Sequence, residues 1–252
     1  MAGAEISGIL GLSRPAVVGS VEVAFRLASG DEQAGLLSAV SAETLSGAAP
    51  WRVFRWRDGQ KHYSGAYWSA TEDGHVIYES RLELARLLFA DFDRSVRRIV
   101  AQPFLLRAEV DGKVRRRIPD CLLITASGPV VVDVKPAARL AVPKVVFAFG
   151  WTEQVVKARG WRYEVWSEPD PVELENVRFL AGYRRRWLFD SVVVDALRSS
   201  VADGMSVGEV TGSASRFPAA TVRAALLHLL WRREFTVDMS VRLGSASMLR
   251  VA

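Results

Sequence analysis

Two short, almost wholly apolar runs, residues 122–125 and 130–134, flank Ser127-Gly128 and carry three charged residues in or beside them: Asp120, Asp133 and Lys135. Runs of this length and composition read as central strands covered on both faces. An ionised group in such a strand is costly unless it is paired or bound to metal. This stretch therefore constrains fold and chemistry together. With Ser127-Gly128 as a two-residue hairpin turn, Asp120 lies opposite Lys135 and Leu122 opposite Asp133. Side chains alternate along strands, so Asp120, Asp133 and Lys135 share one face. An ion pair between Lys135 and either aspartate accounts for them structurally. Two carboxylates against one cation also leave a net negative pocket that suits a hard divalent ion such as Mg2+.

The remainder of the chain supplies elements around these strands. Residues 1–50 are rich in Ala, Gly and Ser and read as a variable N-terminal lead-in. Residues 51–56 and 62–68, on either side of Asp58-Gly59, alternate bulky and polar residues as paired strands do. Residues 80–89 have helical spacing, and 104–110 with 114–118 form a hairpin around Asp111-Gly112. Residues 147–159 read as a helix and 161–166 as a further strand. One α/β domain with a mixed sheet over residues 51–171 fits this order. From 172 to 252 the pattern is helical (174–187, 191–201, 206–210, 218–232) and ends in two strand-like runs around Gly244, as in a small winged helix-turn-helix domain.

Composition narrows the function classes. Half of the 252 residues are hydrophobic and 24% are charged, which excludes a disordered chain. The single cysteine, Cys121, excludes an intrachain disulfide framework and a multi-thiolate zinc site, and its apolar strand marks it as a core thiol. His62, His75 and His228 are scattered without metal-ligand spacing, and His228 sits in an apolar helix. No run reaches the roughly eighteen apolar residues of a membrane span, and the N-terminus lacks signal-peptide order, so a cytoplasmic, non-membrane protein is expected. The net charge of +5, with basic clusters at Arg97-Arg98, residues 113–117 and 184–186, favours a polyanionic partner such as DNA.

Pro119-Asp120, twelve residues, then Asp133-Val134-Lys135 has the form PD-x(n)-(D/E)-x-K, which resembles the mark of a metal-dependent nuclease superfamily with a restriction-endonuclease-like mixed sheet. Such nucleases take a further carboxylate from a preceding helix, and Glu79 and Glu83 are available four residues apart. Glu83 has a second reading, because Ser80-Arg81-Leu82-Glu83 is a capping box.

The run Ser80-Arg81-Leu82-Glu83-Leu84-Ala85, then Gln102-Pro103-Phe104, then Asp120, then residues 132–138 (Val-Asp-Val-Lys-Pro-Ala-Ala) resembles TnsA, the endonuclease subunit of heteromeric transposases. The likeness spans about residues 78–166, extends weakly through the C-terminal helices and does not cover the first fifty residues. It implies a catalytic set of Glu83, Asp120 and Lys135, with Asp133 as the ordinary nuclease carboxylate where some members carry an amide. Asp120, Asp133 and Glu83 would bind Mg2+, with Mn2+ as a substitute. The implied activity is phosphodiester hydrolysis in double-stranded DNA at transposon ends during cut-and-paste transposition. The implied partners are a DDE transposase subunit and an AAA+ regulator. Two rivals are a freestanding restriction or repair nuclease with the same core, and an inactive nuclease-fold DNA-binding or adaptor protein. Glu79 and Gln154 are further candidates beside the site, Gln154 reading better as an exposed helix residue.

Overall fold

The structure, a computed structural model, describes residues 16–52, 63–213 and 216–252. Of these, the residues up to Asp91 together with Ser95–Glu168 form one unit, and Phe92–Arg94 with Pro169–Ala252 form a second.

In the first unit, alternating residues build an antiparallel sheet of order β2-β1-β6-β7, from β1 (Val17–Arg26), β2 (Glu32–Leu36), β6 (Leu105–Val110) and β7 (Lys113–Arg117). Along β6, Leu106, Ala108 and Val110 point inward while Arg107 and Glu109 face solvent. Asp111 and Gly112 join β6 to β7 with φ of 51° and 70°, the two positive values that a type I′ hairpin turn requires. The hairpin expected over 104–118 is thus present. Residues 16–50, read from composition as a lead-in, instead supply β1, β2 and the short helix α1 (Ala42–Ser46). The register of β1 slips between Val18 and Glu22, which interrupts the two-residue alternation and hides the strand from pattern reading.

A second sheet has the order β10-β9-β8-β5, with β5 (Val96–Ala101), β8 (Cys121–Thr125), β9 (Gly128–Val134) and β10 (Arg162–Trp166). β10 runs parallel to β9 and is reached through helix α3 (Pro143–Ala158), while β8 is antiparallel to both of its neighbours. The sheet is mixed, as expected of an α/β fold. β8 and β9 are buried along nearly their whole length. One apolar core joins Val23, Phe25 and Leu106 of the first sheet to Leu122 and Val131 of the second and to Trp151 and Val155 of α3.

Ahead of the second sheet, β3 (Gly65–Ser69) pairs with β4 (Gly74–Tyr78). The pairing expected between 51–56 and 62–68 falls mostly on residues 53–62, which lie outside the described residues. Helix α2 (Arg81–Phe92) follows, and its buried Asp91 accepts hydrogen bonds from Tyr67 Oη, Ser69 Oγ and the backbone N–H groups of Ala70 and Thr71 at 2.7–2.9 Å. One carboxylate therefore fastens the β3–β4 hairpin to the helix.

The second unit contains α4 (Pro171–Ala181), α5 (Ser191–Ser200), α6 (Val207–Ser213) and α7 (Ala219–Trp231). It ends with β11 (Phe235–Thr236) and β12 (Arg250–Val251), which pair antiparallel. α7 is buried along most of its length, and His228 packs inside it, its Nδ1 2.7 Å from the Tyr183 carbonyl and its ring stacked on Phe189. Among the described residues no helix is long and apolar enough to cross a membrane.

Candidate active site

The β8–β9 hairpin does not turn at Ser127-Gly128. Thr125 pairs with Gly128 and Cys121 with Val132, so Ala126-Ser127 forms the turn and the register is displaced by two residues from the expected one. Thr125 causes the difference: its Oγ1 accepts from Ser127 N and donates to the Gly128 carbonyl, closing the loop one residue earlier. A displacement of two leaves the faces unchanged. Asp133 and Lys135 still share a face, and Asp120, just before β8, comes to Asp133 instead of to Lys135. Its N–H donates to the Val132 carbonyl at 3.1 Å, and its Oδ2 accepts from Val134 N at 2.6 Å.

Asp133 is fully buried. Its cationic partner is not Lys135 but Arg117, reaching from the edge strand of the other sheet. Arg117 Nη2 lies 2.6 Å from Asp133 Oδ1 and its Nε donates to Oδ2 at 3.2 Å. Tyr163 Oη, from β10, also donates to Oδ2, at 2.5 Å. The close Arg117 contact to Oδ1 is an ion pair without an aligned N–H, which leaves Oδ1 enclosed with no hydrogen-bond donor directed at it. The Arg117 guanidinium stacks on the Phe149 ring of α3, 4.6 Å from its centroid. The sequence singles out Arg117 only as part of the basic cluster 113–117, not as a partner of Asp133, and does not single out Tyr163. An arginine-rich hairpin strand and a tyrosine three positions after Gly160 give no local signal, because both act across tertiary contacts.

Electrostatics follow from this enclosure. Burial raises the Asp120 carboxyl, the like charge of Asp133 adds to the rise, and together they bring it to about 7 against the opposing Val134 N–H. Burial would lower the Arg117 pKa, but the field of Asp133, the Tyr163 hydroxyl and the hydrogen bond to Asp133 together outweigh it and the group is held more firmly charged than usual. Burial and then Asp133 push the Tyr163 hydroxyl well above its ordinary value, so it remains a donor.

Glu83 stands at the start of α2. Its Oε1 accepts from Ser80 Oγ at 2.9 Å and its Oε2 from Glu79 N at 2.7 Å, while Ser80 Oγ accepts from Glu83 N. The capping box is therefore formed, with the return hydrogen bond going to the residue before the serine. Burial raises the Glu83 pKa and Lys135 acts against that rise, while Glu83 in turn contributes to the rise at Asp120. The four expected residues thus share one electrostatic neighbourhood. Lys135 is half-buried, and its ammonium has neither hydrogen bond nor ion pair among the described residues. Glu79 is held by Gln102, whose Nε2 donates to Glu79 Oε1 at 2.7 Å and whose N–H donates to the Asp120 carbonyl. Gln102 is buried with φ of 46°, a strained value for a residue with a side chain. Gln154 is half-buried, not exposed as expected, and its Oε1 is enclosed without a partner.

A divalent ion fits part of this donor set. Asp133 Oδ1 and Asp120 Oδ1 carry no directed hydrogen bond, whereas both oxygens of Glu83 serve the cap. Among the described residues no three His, Cys, Asp or Glu side chains gather as a metal cage. Mg2+ needs no such cage, since it is commonly held by one or two carboxylates, water and substrate phosphate. Compared with known proteins, the sequence matches no family model and no curated protein, so the reading of this site rests on its own side chains.

Proposed function

We propose that the chain is a Mg2+-dependent endonuclease acting on double-stranded DNA, of the TnsA type, with a restriction-endonuclease-like core and a winged-helix C-terminal domain. The observation that carries this reading is the facing pair of carboxylates, half-buried Asp120 and fully buried Asp133, with the unpaired Lys135 one alternation further along the strand. Asp120 and Asp133 would hold the ion, which supplies an activated water and polarises a phosphoryl oxygen. Tyr163 and Arg117 fix the Asp133 carboxylate before any ion arrives, and an ion at Oδ1 would share that oxygen with Arg117 Nη2. The Lys135 ammonium stands ready for a phosphate oxygen and for charge developing on it. Glu83 orients the helix start and adds negative charge near Asp120. Transposon ends as substrate, and a DDE transposase subunit and an AAA+ regulator as partners, belong to the same reading.

One observation favours the adaptor rival. The Arg117–Asp133 pair already neutralises Asp133 without metal, as an inactive nuclease fold would. Nicking of supercoiled plasmid in Mg2+ or Mn2+, with and without the products of neighbouring genes, separates the two readings. Cleavage abolished by EDTA and by Asp120→Ala supports the nuclease; DNA binding without metal-dependent cleavage under every condition supports the adaptor. Glu83→Gln keeps one acceptor oxygen and loses one cap hydrogen bond, at a cost of about 1 kcal/mol in thermal or urea melts. Its nicking rate should fall less than that of Asp120→Ala, and an unchanged rate would confine Glu83 to the cap.

A further inference from the structure

Edge strand β7 reads Lys113-Val-Arg-Arg-Arg117, with no acidic residue. Alternation puts Arg115 on the same face as Arg117, roughly 7 Å away along the strand. Both guanidinium groups lie over phenyl rings of α3: Arg117 over Phe149, and Arg115 over Phe147 at 5.0 Å from the centroid. Their charges are used differently. Arg117 is consumed by Asp133, whereas Arg115 has no hydrogen bond or ion pair among the described residues, and its buried Nε has no acceptor. Lys113, on the same face by alternation, is exposed and β7 is the edge of its sheet, so the approach is cationic.

We propose that Arg115 seats a backbone phosphate of duplex DNA, a neighbour of the phosphate at Asp120 and Asp133. This assignment rests on the nuclease reading above. A planar fork held flat on an aromatic ring suits two phosphate oxygens at once through its two terminal nitrogens. A protein carboxylate would match the fork equally, but Lys113 and Arg115 in a row on one face, with no acidic residue in the strand, match a repeating anion better. Such a contact positions the duplex and reads no sequence.

The test uses the full chain and a short random-sequence duplex, with Ca2+ in place of Mg2+, and measures anisotropy across a salt series. Arg115→Gln keeps the stem over Phe147 and should lower the slope of log K against log salt by about 0.9, equally on unrelated sequences. Arg115→Lys should keep the slope while binding more weakly. A variant-free measurement accompanies these: the duplex should slow phenylglyoxal modification of Arg115, mapped by mass spectrometry, and leave Arg26 unchanged. Wild-type binding with an unchanged slope in a folded Arg115→Gln, or no protection of Arg115, overturns the assignment and spares the nuclease reading. Equal protection by inorganic phosphate at the same concentration also overturns it, as a simple anion site. Failure of the wild type to bind duplex at any salt overturns both.

Discussion

With Asp133 fully buried against Arg117, Asp133→Ala leaves a guanidinium enclosed without its counter-charge, and the loss should be about 3–5 kcal/mol in urea denaturation. Arg117→Met combined with Asp133→Asn removes both charges, keeps an acceptor for Tyr163, and should recover most of that loss. Asp120 behaves oppositely. Its folded pKa of about 7 lies above the ordinary carboxylate value, so ionisation opposes folding as pH rises from about 4 to 7, and the penalty is complete above that range. Asp120→Asn should therefore stabilise the metal-free protein at pH 8, by something of order 1–3 kcal/mol, and add nothing near pH 4. Equal destabilisation by Asp120→Asn and Asp133→Ala across this range would contradict the difference between the two environments.

At the scale of elements, what could be read from the sequence depended on how local the determining interactions are. The β6–β7 hairpin was legible because Asp111-Gly112 meets a local backbone demand, and the apolar β8 and β9 runs because burial on both faces leaves a compositional trace. The face shared by Asp120, Asp133 and Lys135 was legible for a simpler reason, since an error of two residues in register does not change it. The partners were not legible. Arg117 meets Asp133 across two sheets, and the register itself hung on one Thr125 hydroxyl. Asp91 lies beyond the helical run read at 80–89, while the structure makes it the fastening of the β3–β4 hairpin. Asp91→Asn turns one acceptor into a donor facing hydroxyl and N–H groups. It should cost about 2–4 kcal/mol, and amide exchange should rise across Gly65–Ser69 and Gly74–Tyr78 before the rest of the sheet.

For the molecule as a whole, the two units should respond to different perturbations. In the second, Glu234 is gripped by Arg198 and Arg232, whose hydrogen bonds hold its carboxyl down near 2. A depressed carboxyl stabilises fully above its ordinary value of about 4.5 and loses that contribution as pH falls toward 2. Glu234→Gln should therefore lower Tm at pH 7, with the difference from wild type closing below pH 4.5. In the first unit, a chain beginning at residue 51 lacks β1, leaves β6 unpaired on one side, and should lose cooperative melting. The path from β1 through β6 to β7 ends at the guanidinium that receives Asp133, and this bears on the order of folding. Desolvating Asp133 is favourable only after β7 has delivered its charge, so β9 should close late, behind the first sheet, and Arg117→Gln should speed unfolding more than it slows refolding.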